Sequence, residues 1–341
     1  MSAIFLTLKN IFHGVVAAVM LIPIIATMGN EGSPDTPVEI NENATNPYIT
    51  EYLSPVVAAH RSGAGLAPQN TMMAFENVIE NADTLGVDML EFDVQVTKDG
   101  ELVLMHDLTY DNITNAVEVF GRKNNYVSSI TLEEAKKLNM GENFKGDGSY
   151  PYRGLRGDEI PDNLRVTTCN EVIDYAEANS GEKKYIYCIE VKSIGISGRK
   201  AVDRLYEIIT ERNLQDRVIW STFAPDVSGY MVKNYPEISR TADAIEAVQF
   251  YFYQRMGWDL QDVAPTYVAL QIPYGKNAFD NLINLGTREL LNYAHKNNIA
   301  VQYWTINNEE DIKHLTLNGA DCIMTDYPQR ANEAIKNAQN Q

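Results

Sequence analysis

Residues 87–107 read VDMLEFDVQVTKDGELVLMHD, and this stretch predicts a strand, a tight turn and a short return strand. The first strand is predicted over 87–94, and Asp99-Gly100 is a strong signal for the turn. The return strand over 102–104 must be antiparallel, because a parallel connection needs a long crossover. We therefore expect a hairpin that projects from a larger sheet.

Outside this hairpin, seven further short apolar runs are predicted as strands, over 56–60, 185–191, 218–222, 239–242, 267–271, 300–305 and 322–325. Segments of helix length with amphipathic spacing separate most of them, including 70–83, 199–212, 287–297 and 308–317. This alternation predicts parallel strands joined by crossover helices. Eight such strands favour a closed (β/α)₈ TIM barrel of the α/β class. An open doubly wound sheet is the alternative, but no G-x-G-x-x-G loop follows the first strand.

The stretch from about 108 to 167 departs from this alternation, because it holds many Gly, Asn and Tyr residues. One short helix is predicted over 132–138. The spacings Thr131-x-x-Glu134 and Thr168-x-x-Glu171 match capping boxes and predict two helix starts. We expect an inserted cap after the second barrel strand, with a lid or substrate-binding role. A decorative surface loop is the alternative.

The amino-terminal residues predict a membrane segment. No Asp, Glu, Lys or Arg occurs from Asn10 to Asn30, and the 18 residues 11–28 are about the minimum for a bilayer span. Lys9 orients the amino end inwards. We expect 1–30 to be an anchor or a secretory signal, 31–54 a flexible tether and 55–341 the barrel. The catalytic domain would be extracytoplasmic, or secreted if the segment is cleaved.

The net charge argues against one class of partner, and the cysteine count argues against a disulfide framework. The net charge is −18, from 28 Lys and Arg against 46 Asp and Glu, which argues against a nucleic-acid partner. An acidic chain can still handle a single phosphate group if a metal ion supplies local positive charge. The three cysteines, Cys169, Cys188 and Cys322, do not form a disulfide framework and are expected to be buried thiols. The sequence does not specify an oligomeric state.

Folding the hairpin near Lys98 places position 93 opposite about 104 and position 91 opposite about 106. Glu91 and Asp93 share a face because side chains alternate along a strand. His106 is then expected beside Glu91 on that face. A register shift of one residue would break this arrangement.

Two carboxylates at this spacing suit a hard divalent cation, which prefers oxygen ligands. Glu190 ends another predicted strand and is the natural third ligand, because active sites of barrels form at the carboxyl ends of the strands. Lys192 has the same parity as Glu190 and is expected to point inwards with it. The alternative is that these carboxylates are solvated or paired with Lys192 and Arg61.

Two of the five histidines, His60 and His106, end predicted strands near these carboxylates. They are candidates for a general acid/base pair. Arg61 follows His60 and could bind a phosphate through its planar guanidinium. The other histidines, His13, His295 and His314, are assigned no role.

The sequence resembles the glycerophosphodiester phosphodiesterase family over roughly 56–330. The family's ordered motifs correspond to His60-Arg61-Ser62-Gly63, Pro68-Gln69-Asn70-Thr71, Glu91-Phe92-Asp93-Val94, Thr97-Lys98-Asp99-Gly100, His106-Asp107, Glu190-Val191-Lys192, Trp304-Thr305-Ile306-Asn307 and Thr325-Asp326-Tyr327-Pro328. Each motif is weak alone, whereas the ordered set is specific.

The resemblance implies hydrolysis of glycerophosphodiesters to glycerol phosphate and an alcohol. It implies one Ca²⁺ or Mg²⁺ on Glu91, Asp93 and Glu190, and His60 and His106 as the acid/base pair. It also implies that Arg61 and Lys192 hold the phosphate and that Trp304 walls the substrate site. A lysophospholipase-D-like activity on lysolipids and a non-catalytic, membrane-tethered binding module are the alternatives.

This chain departs from the family pattern at two positions. Ser62 interrupts the His-Arg-Gly motif, and Gln69 replaces the usual Glu of Pro-Glu-Asn-Thr. Gln keeps the size and an acceptor oxygen of Glu but loses its charge. If that Glu binds the metal or a substrate hydroxyl in the family, activity or specificity would be altered here.

Overall fold

The computed structural model describes residues 35–40, 43–275 and 283–340. Within these ranges nine strands form one sheet. Their bounds are β1 Val56–Ala59, β2 Met89–Val96, β3 Leu102–Leu104, β4 Ile186–Val191, β5 Val218–Ser221, β6 Ser239–Arg240, β7 Ala269–Pro273, β8 Ala300–Trp304 and β9 Cys322–Thr325.

Eight of the strands are parallel, in the order β6-β5-β4-β2-β1-β9-β8-β7, while β3 pairs antiparallel with β2. The two ends of this order approach each other, because a parallel bridge joins Thr241 to Ala269 and the Ala242 amide donates to the Ala269 carbonyl at 2.8 Å. The sheet is therefore a nearly closed eight-stranded barrel. The predicted TIM-barrel architecture is confirmed, and the open doubly wound sheet is not formed.

Helices connect the strands, with bounds α1 Met72–Glu80, α2 Ala82–Leu85, α3 Ala116–Phe120, α4 Leu132–Ala135, α5 Cys169–Asn179, α6 Gly195–Glu211, α7 Pro225–Asn234, α8 Ala244–Met256, α9 Arg288–Lys296, α10 Glu309–Asn318 and α11 Pro328–Gln339. The capping boxes predicted at Thr131 and Thr168 are both present and begin α4 and α5. The short helix predicted over 132–138 ends earlier, at Ala135.

Small and apolar side chains fill the barrel interior, including Ala58, Met89, Ile219, Ala269 and Ala300. Two larger clusters pack the helices against the outside of the barrel. The three cysteines are buried free thiols, as expected from their apolar surroundings.

The segment between β3 and α5 has its own small core, in which Tyr110, Val127 and Leu138 are buried with Val103 and Met105. This cluster rests on the end of β3, so the hairpin attaches the segment to the barrel. A shallow pocket lies between the segment and the loop that follows β1. The segment therefore flanks one side of the barrel mouth.

The prediction of a flexible tether over 31–54 is wrong for residues 43–54. Tyr48 is only 7% exposed, and its hydroxyl donates to the Val218 carbonyl at 3.2 Å. The Asn46 amide donates to the Val268 carbonyl at 2.6 Å, and the Thr50 amide donates to Asp321 at 2.9 Å. The polar composition suggested solvation, but the Tyr48 and Asn46 side chains instead donate to backbone carbonyls where strands begin, and the Thr50 backbone amide is paired with a carboxylate. The segment closes the amino-terminal end of the barrel.

Among the described residues, no helix is long and apolar enough to span a membrane. The predicted membrane segment at 11–28 lies outside those residues.

Candidate active site

The carboxyl ends of β2 and β4 bring the three predicted acidic ligands together. Asp93 pairs directly with Glu190 across the parallel ladder, and Glu91 lies two residues before Asp93 on the same face. One carboxylate oxygen of each residue lies within 4.8 Å of those of the other two. The predicted acidic cluster therefore forms inside the barrel mouth.

Nearby positive charge compensates only part of the negative charge of this cluster, because Lys192 and Arg61 lie against Asp93 while the pKa values of Glu91 and Glu190 stay raised. Burial and the neighbouring Asp93 raise the pKa of Glu91 to about 7. Burial and Asp93 likewise raise the pKa of Glu190, although Lys192 opposes them. Burial also acts to raise the pKa of Asp93, but Lys192 and Arg61 outweigh it and hold that pKa below its usual value. Three buried oxygen donors whose negative charge is only partly compensated fit a hard divalent cation.

The two basic side chains of the site lie against this cluster. The Lys192 ammonium is 2.6 Å from Glu190 and 3.3 Å from Asp93. Burial lowers the pKa of Lys192, but Asp93 and Glu190 outweigh it and raise the pKa overall, so the side chain stays charged. The Arg61 Nε lies 3.4 Å from Asp93, and the Arg61 backbone amide donates to Glu91 at 2.7 Å.

The loop after β1 has an unusual backbone, because Arg61, Ser62 and Gly63 all have positive φ, at 48°, 60° and 81°. Such angles are costly for residues with a side chain. The Asn70 amide donates to the Arg61 carbonyl at 3.1 Å and helps to hold the loop. Ser62, which interrupts the family motif, is buried here.

His60 follows the last residue of β1 and is held by a carboxylate. Its Nδ1 lies 2.7 Å from Asp326, and Asn307 donates to the other oxygen of Asp326 at 2.7 Å. Burial lowers the pKa of His60, but the hydrogen bond with Asp326 and the charge of Glu91 outweigh it, so the pKa is raised overall. This environment favours the protonated imidazole.

His106 reaches the same pocket by a route that differs from the prediction. The hairpin pairs Val94 with Leu104 and Val96 with Leu102, so the predicted register is wrong by one residue. Strand β3 ends at Leu104, so the alternation of side chains along a strand does not determine the direction of the His106 side chain. Its Nδ1 lies 2.9 Å from Asp107. Burial lowers the pKa of His106, and Asp93 and Asp107 only partly offset this.

All eight residues singled out from the sequence line one pocket, together with three further residues. The predicted residues are His60, Arg61, Glu91, Asp93, His106, Glu190, Lys192 and Trp304, and the others are Phe223, Gln271 and Met324. Phe223 contacts Trp304 edge to face, with 5.7 Å between the ring centroids. The pocket thus has a charged floor and one aromatic wall.

Four residues that support this site were not assigned roles from the sequence. Asp326 and Asn307 hold His60, while Asn70 donates to Asp93 at 2.9 Å. Phe223 completes the aromatic wall. The first three stand in motif segments quoted above, so their positions were a usable signal. Phe223 lies in no such motif, and only its place directly after β5 pointed to the barrel mouth.

Known proteins are similar to this chain over most of its length. Residues 60–330 match the model of the glycerophosphoryl diester phosphodiesterase family. The chain is 31% identical over 276 residues to a glycerophosphodiester phosphodiesterase of Caldanaerobacter subterraneus subsp. tengcongensis, which covers 80% of this chain and 95% of that protein. It is 25% identical over 290 residues to a glycerophosphodiester phosphodiesterase of Bacillus subtilis, covering 80% and 84%.

Solved structures share the fold. An Oleispira antarctica phosphodiesterase in complex with its product sn-glycerol-3-phosphate matches with a TM-score of 0.57 and 22% identity, over 83% of this chain and 97% of that chain. A glycerophosphodiester phosphodiesterase from Parabacteroides distasonis matches with a TM-score of 0.58 and 17% identity, over 84% and 98%. At these identities the likeness concerns the fold alone.

Proposed function

The chain belongs to the glycerophosphoryl diester phosphodiesterase family and is a phosphoric diester hydrolase that acts on glycerophosphodiesters, and from this premise we propose how it does so. The proposed reaction is divalent-cation-dependent hydrolysis to glycerol phosphate and an alcohol. The observation that carries it is the convergence of three carboxylates, two basic side chains and two imidazoles in one pocket. Family membership sets aside the non-catalytic binding module.

Glu91, Asp93 and Glu190 are the proposed ligands of one Ca²⁺ or Mg²⁺ ion, because their oxygens are close together and buried, and Lys192 and Arg61 compensate only part of their charge. When bound, the ion would supply positive charge near the phosphate oxygens. Arg61 and Lys192 would bind and orient the phosphodiester from the same side of the pocket. Trp304 and Phe223 would wall the substrate and exclude water.

The pKa of His106 is lowered and that of His60 is raised, which favours His106 as the general base and His60 as the general acid. His106, with its lowered pKa, would be the base that takes the proton of the attacking water. If the neighbouring glycerol hydroxyl attacks instead, the first product is a cyclic glycerol phosphate, and a water molecule must open this ring in a second step to give glycerol phosphate. As the bond from phosphorus to the leaving alcohol breaks, His60 would donate a proton to the leaving oxygen. Asp326 and Glu91 favour the protonated state of His60 that this step requires. Asp326 and Asp107 would each fix the orientation of one imidazole through Nδ1.

The test is hydrolysis of glycerophosphocholine and glycerophosphoethanolamine, followed by release of glycerol phosphate. Chelation should abolish turnover, and one added cation should restore it. His106→Ala should lower kcat by about 10²-fold or more. His314→Ala is the matched control, because that histidine lies on α10 and contacts the Gly286 carbonyl, outside the pocket. Turnover that survives chelation, or a near-normal rate for His106→Ala, would contradict the mechanism.

A second substrate class, the lysolipids, is favoured by one observation at the rim of the pocket. Lys192 leads into a short uncharged stretch that ends in the first turn of α6, where Ile194 and Ile196 are 62% and 74% exposed. Phe223 is 45% exposed, and its ring lies 5.7 Å from the Lys192 ammonium. An acyl chain attached near the phosphate could lie along these side chains and bury them.

A double variant separates the two substrate classes. Ile194→Ser with Ile196→Ser should raise KM for lysophosphatidylcholine and leave glycerophosphocholine turnover unchanged. Met256→Ser is a matched control, because Met256 is exposed at the end of α8, away from the mouth. Equal effects on the two substrates, or no lysolipid turnover by the wild type, would remove lysolipids as substrates.

We also propose that the segment at 11–28 places the enzyme at a membrane with the barrel outside the cytoplasm, as an anchor or after cleavage as a secreted protein. The support is the absence of charge over Asn10 to Asn30 and the single Lys9 before it. Cell fractionation with protease protection tests this. Recovery of the uncleaved chain in the cytosol would contradict it.

A further inference from the structure

Gln69 lies beside the catalytic pocket and contacts one of its basic side chains. The Arg61 Nη1 donates to the Gln69 Oε1 at 2.5 Å. We propose that Gln69 is a positioning residue, which directs the Arg61 guanidinium at the substrate phosphate without adding a further negative charge beside it. This inference rests on the proposed function, because it requires Arg61 to bind phosphate.

Arg61 needs an external contact to hold its direction. It sits on a backbone with positive φ, and its long side chain has many rotamers. Its buried Nε meets no hydrogen-bond acceptor among the described residues, although Asp93 is 3.4 Å away at ion-pairing distance. The bond to Gln69 is therefore the contact that fixes the plane of the guanidinium.

Gln69 itself is held by its neighbours in the chain. The Thr71 hydroxyl donates to the Pro68 carbonyl at 2.6 Å and accepts from the Ala74 amide, which begins α1. Asn70 is tied to Asp93 through its side chain and to Arg61 through its backbone. The backbone on both sides of Gln69 is thus fixed by contacts that do not involve its side chain. Truncating that side chain should leave the fold intact.

The amide at this position has a different electrostatic effect from a carboxylate. Four acidic side chains already surround the two basic ones at the mouth, namely Glu91, Asp93, Glu190 and Asp326. A Glu at position 69 would accept the same hydrogen bond but would offset the charge of Arg61. The neutral amide provides the positioning contact and preserves the attraction of Arg61 for the phosphodiester monoanion.

Two variants separate positioning from charge. Gln69→Ala removes the acceptor, and it should lower kcat/KM for glycerophosphocholine and weaken inhibition by inorganic phosphate, each by about tenfold. Gln69→Glu keeps the acceptor, so kcat should stay within about threefold, while KM and the phosphate inhibition constant rise several-fold. Gln261→Ala, at an exposed site beyond the end of α8, is the matched control and should change neither.

A double-mutant cycle shows whether Gln69 acts through Arg61. In an Arg61→Ala background, Gln69→Ala should have almost no further effect on kcat/KM or phosphate affinity, because its partner is absent. Additive losses, a Gln69→Ala enzyme within twofold of the wild type, or a loss that follows a lowered melting temperature would overturn the proposal.

Calorimetric titration with inorganic phosphate distinguishes this proposal from the proposed function. Wild-type protein that binds phosphate but hydrolyses no glycerophosphodiester would refute the function while leaving the Gln69 test in force. Wild-type protein that binds no phosphate would overturn the positioning proposal directly. Tighter binding by Gln69→Glu than by the wild type would overturn the claim about charge.

Discussion

Each end of the barrel holds a histidine–aspartate pair, and strand β9 links the two. Asp321 immediately precedes β9 and lies 2.8 Å from His295 at the amino-terminal end. Asp326 immediately follows β9 and lies 2.7 Å from His60 at the mouth. The two pairs have the same residue types and nearly the same length, yet only one faces the catalytic pocket.

The difference lies in what else each aspartate binds. Asp321 also accepts from the backbone amides of Val301 and Thr50, at 2.7 and 2.9 Å, so it joins β8 to the amino-terminal segment. Asp326 accepts from the Asn307 side chain, and its histidine faces Glu91. A carboxylate that accepts backbone amides stabilises the fold, whereas one that orients an imidazole beside charged groups suits the acid role that we propose for His60.

The largest contrast is expected from removing the two histidines. His60→Ala should lower kcat by roughly 10²–10⁴-fold, since a positioned acid is lost from the transition state. His295→Ala should leave kcat per folded enzyme within about threefold but lower the free energy of unfolding by roughly 2–4 kcal/mol, because Asp321 loses a buried partner. Steady-state kinetics and denaturant unfolding on both variants measure this.

A His295→Ala enzyme that is folded but inactive would break the distinction between the two ends. So would a His60→Ala enzyme with normal turnover.

The two aspartates should show the same contrast on a smaller scale. Asp326→Asn should reduce kcat/KM by about 10–100-fold, because the amide no longer favours the charged imidazole of His60. Asp321→Asn should instead cost roughly 2–3 kcal/mol of stability, as one acceptor for backbone amides is weakened. Chemical denaturation beside kinetics distinguishes these outcomes. Equal effects on stability would show that Asp326 is structural as well.

The mouth should also respond to pH in the absence of metal. The folded-state pKa of Glu91 is about 7, above its usual 4.5, so the folded protein binds the extra proton between these values. The stabilisation from this proton is complete below about pH 4.5 and is lost as the pH rises through 7. Glu190 and His60, with raised pKa values, act in the same direction, while the partly exposed His106 opposes them.

In chelator, the melting temperature should therefore fall by a few degrees between pH 5.5 and 7.5. Glu91→Gln should lose much of this fall and melt higher than the wild type at pH 7.5, because the amide carries no charge. Thermal denaturation at both pH values measures the difference. A wild-type protein that becomes more stable with rising pH would show that the carboxylates are compensated without metal.

Local sequence patterns predicted which side chains meet at the barrel mouth, because most of these residues lie at the ends of strands. Side-chain alternation along β2 placed Glu91 and Asp93 on one face. The parallel pairing of β2 with β4 then places Glu190 beside Asp93. The hairpin register was wrong because Lys98, Asp99 and Gly100 form a three-residue turn closed by Thr97 and Glu101, with Gly100 at φ 93°. The observed pairing centres the turn on Asp99. The predicted pairing of position 93 with 104 centred it between Lys98 and Asp99.

Contacts between residues far apart in the chain were not predictable from such patterns. The pairs His60–Asp326 and His295–Asp321 depend on barrel closure, which no local spacing encodes. The segment around Tyr48 was misread for the same reason, since its polar residues are paired with strand ends more than 160 positions away. Composition alone cannot distinguish a solvated Asn from one that caps a barrel.

The smallest expected effect tests the amino-terminal end alone. The hydroxyls of Tyr48 and Tyr52 each donate to a backbone carbonyl, those of Val218 and Leu317, at 3.2 and 3.1 Å. Tyr48 is buried and Tyr52 is 37% exposed, so only the first bond is shielded from water. Tyr48→Phe should cost about 1 kcal/mol of unfolding free energy, and Tyr52→Phe less than about 0.5 kcal/mol. Neither should change kcat, because both lie opposite the mouth. A kcat change beyond twofold for Tyr48→Phe would mean that the two ends are coupled through the barrel interior.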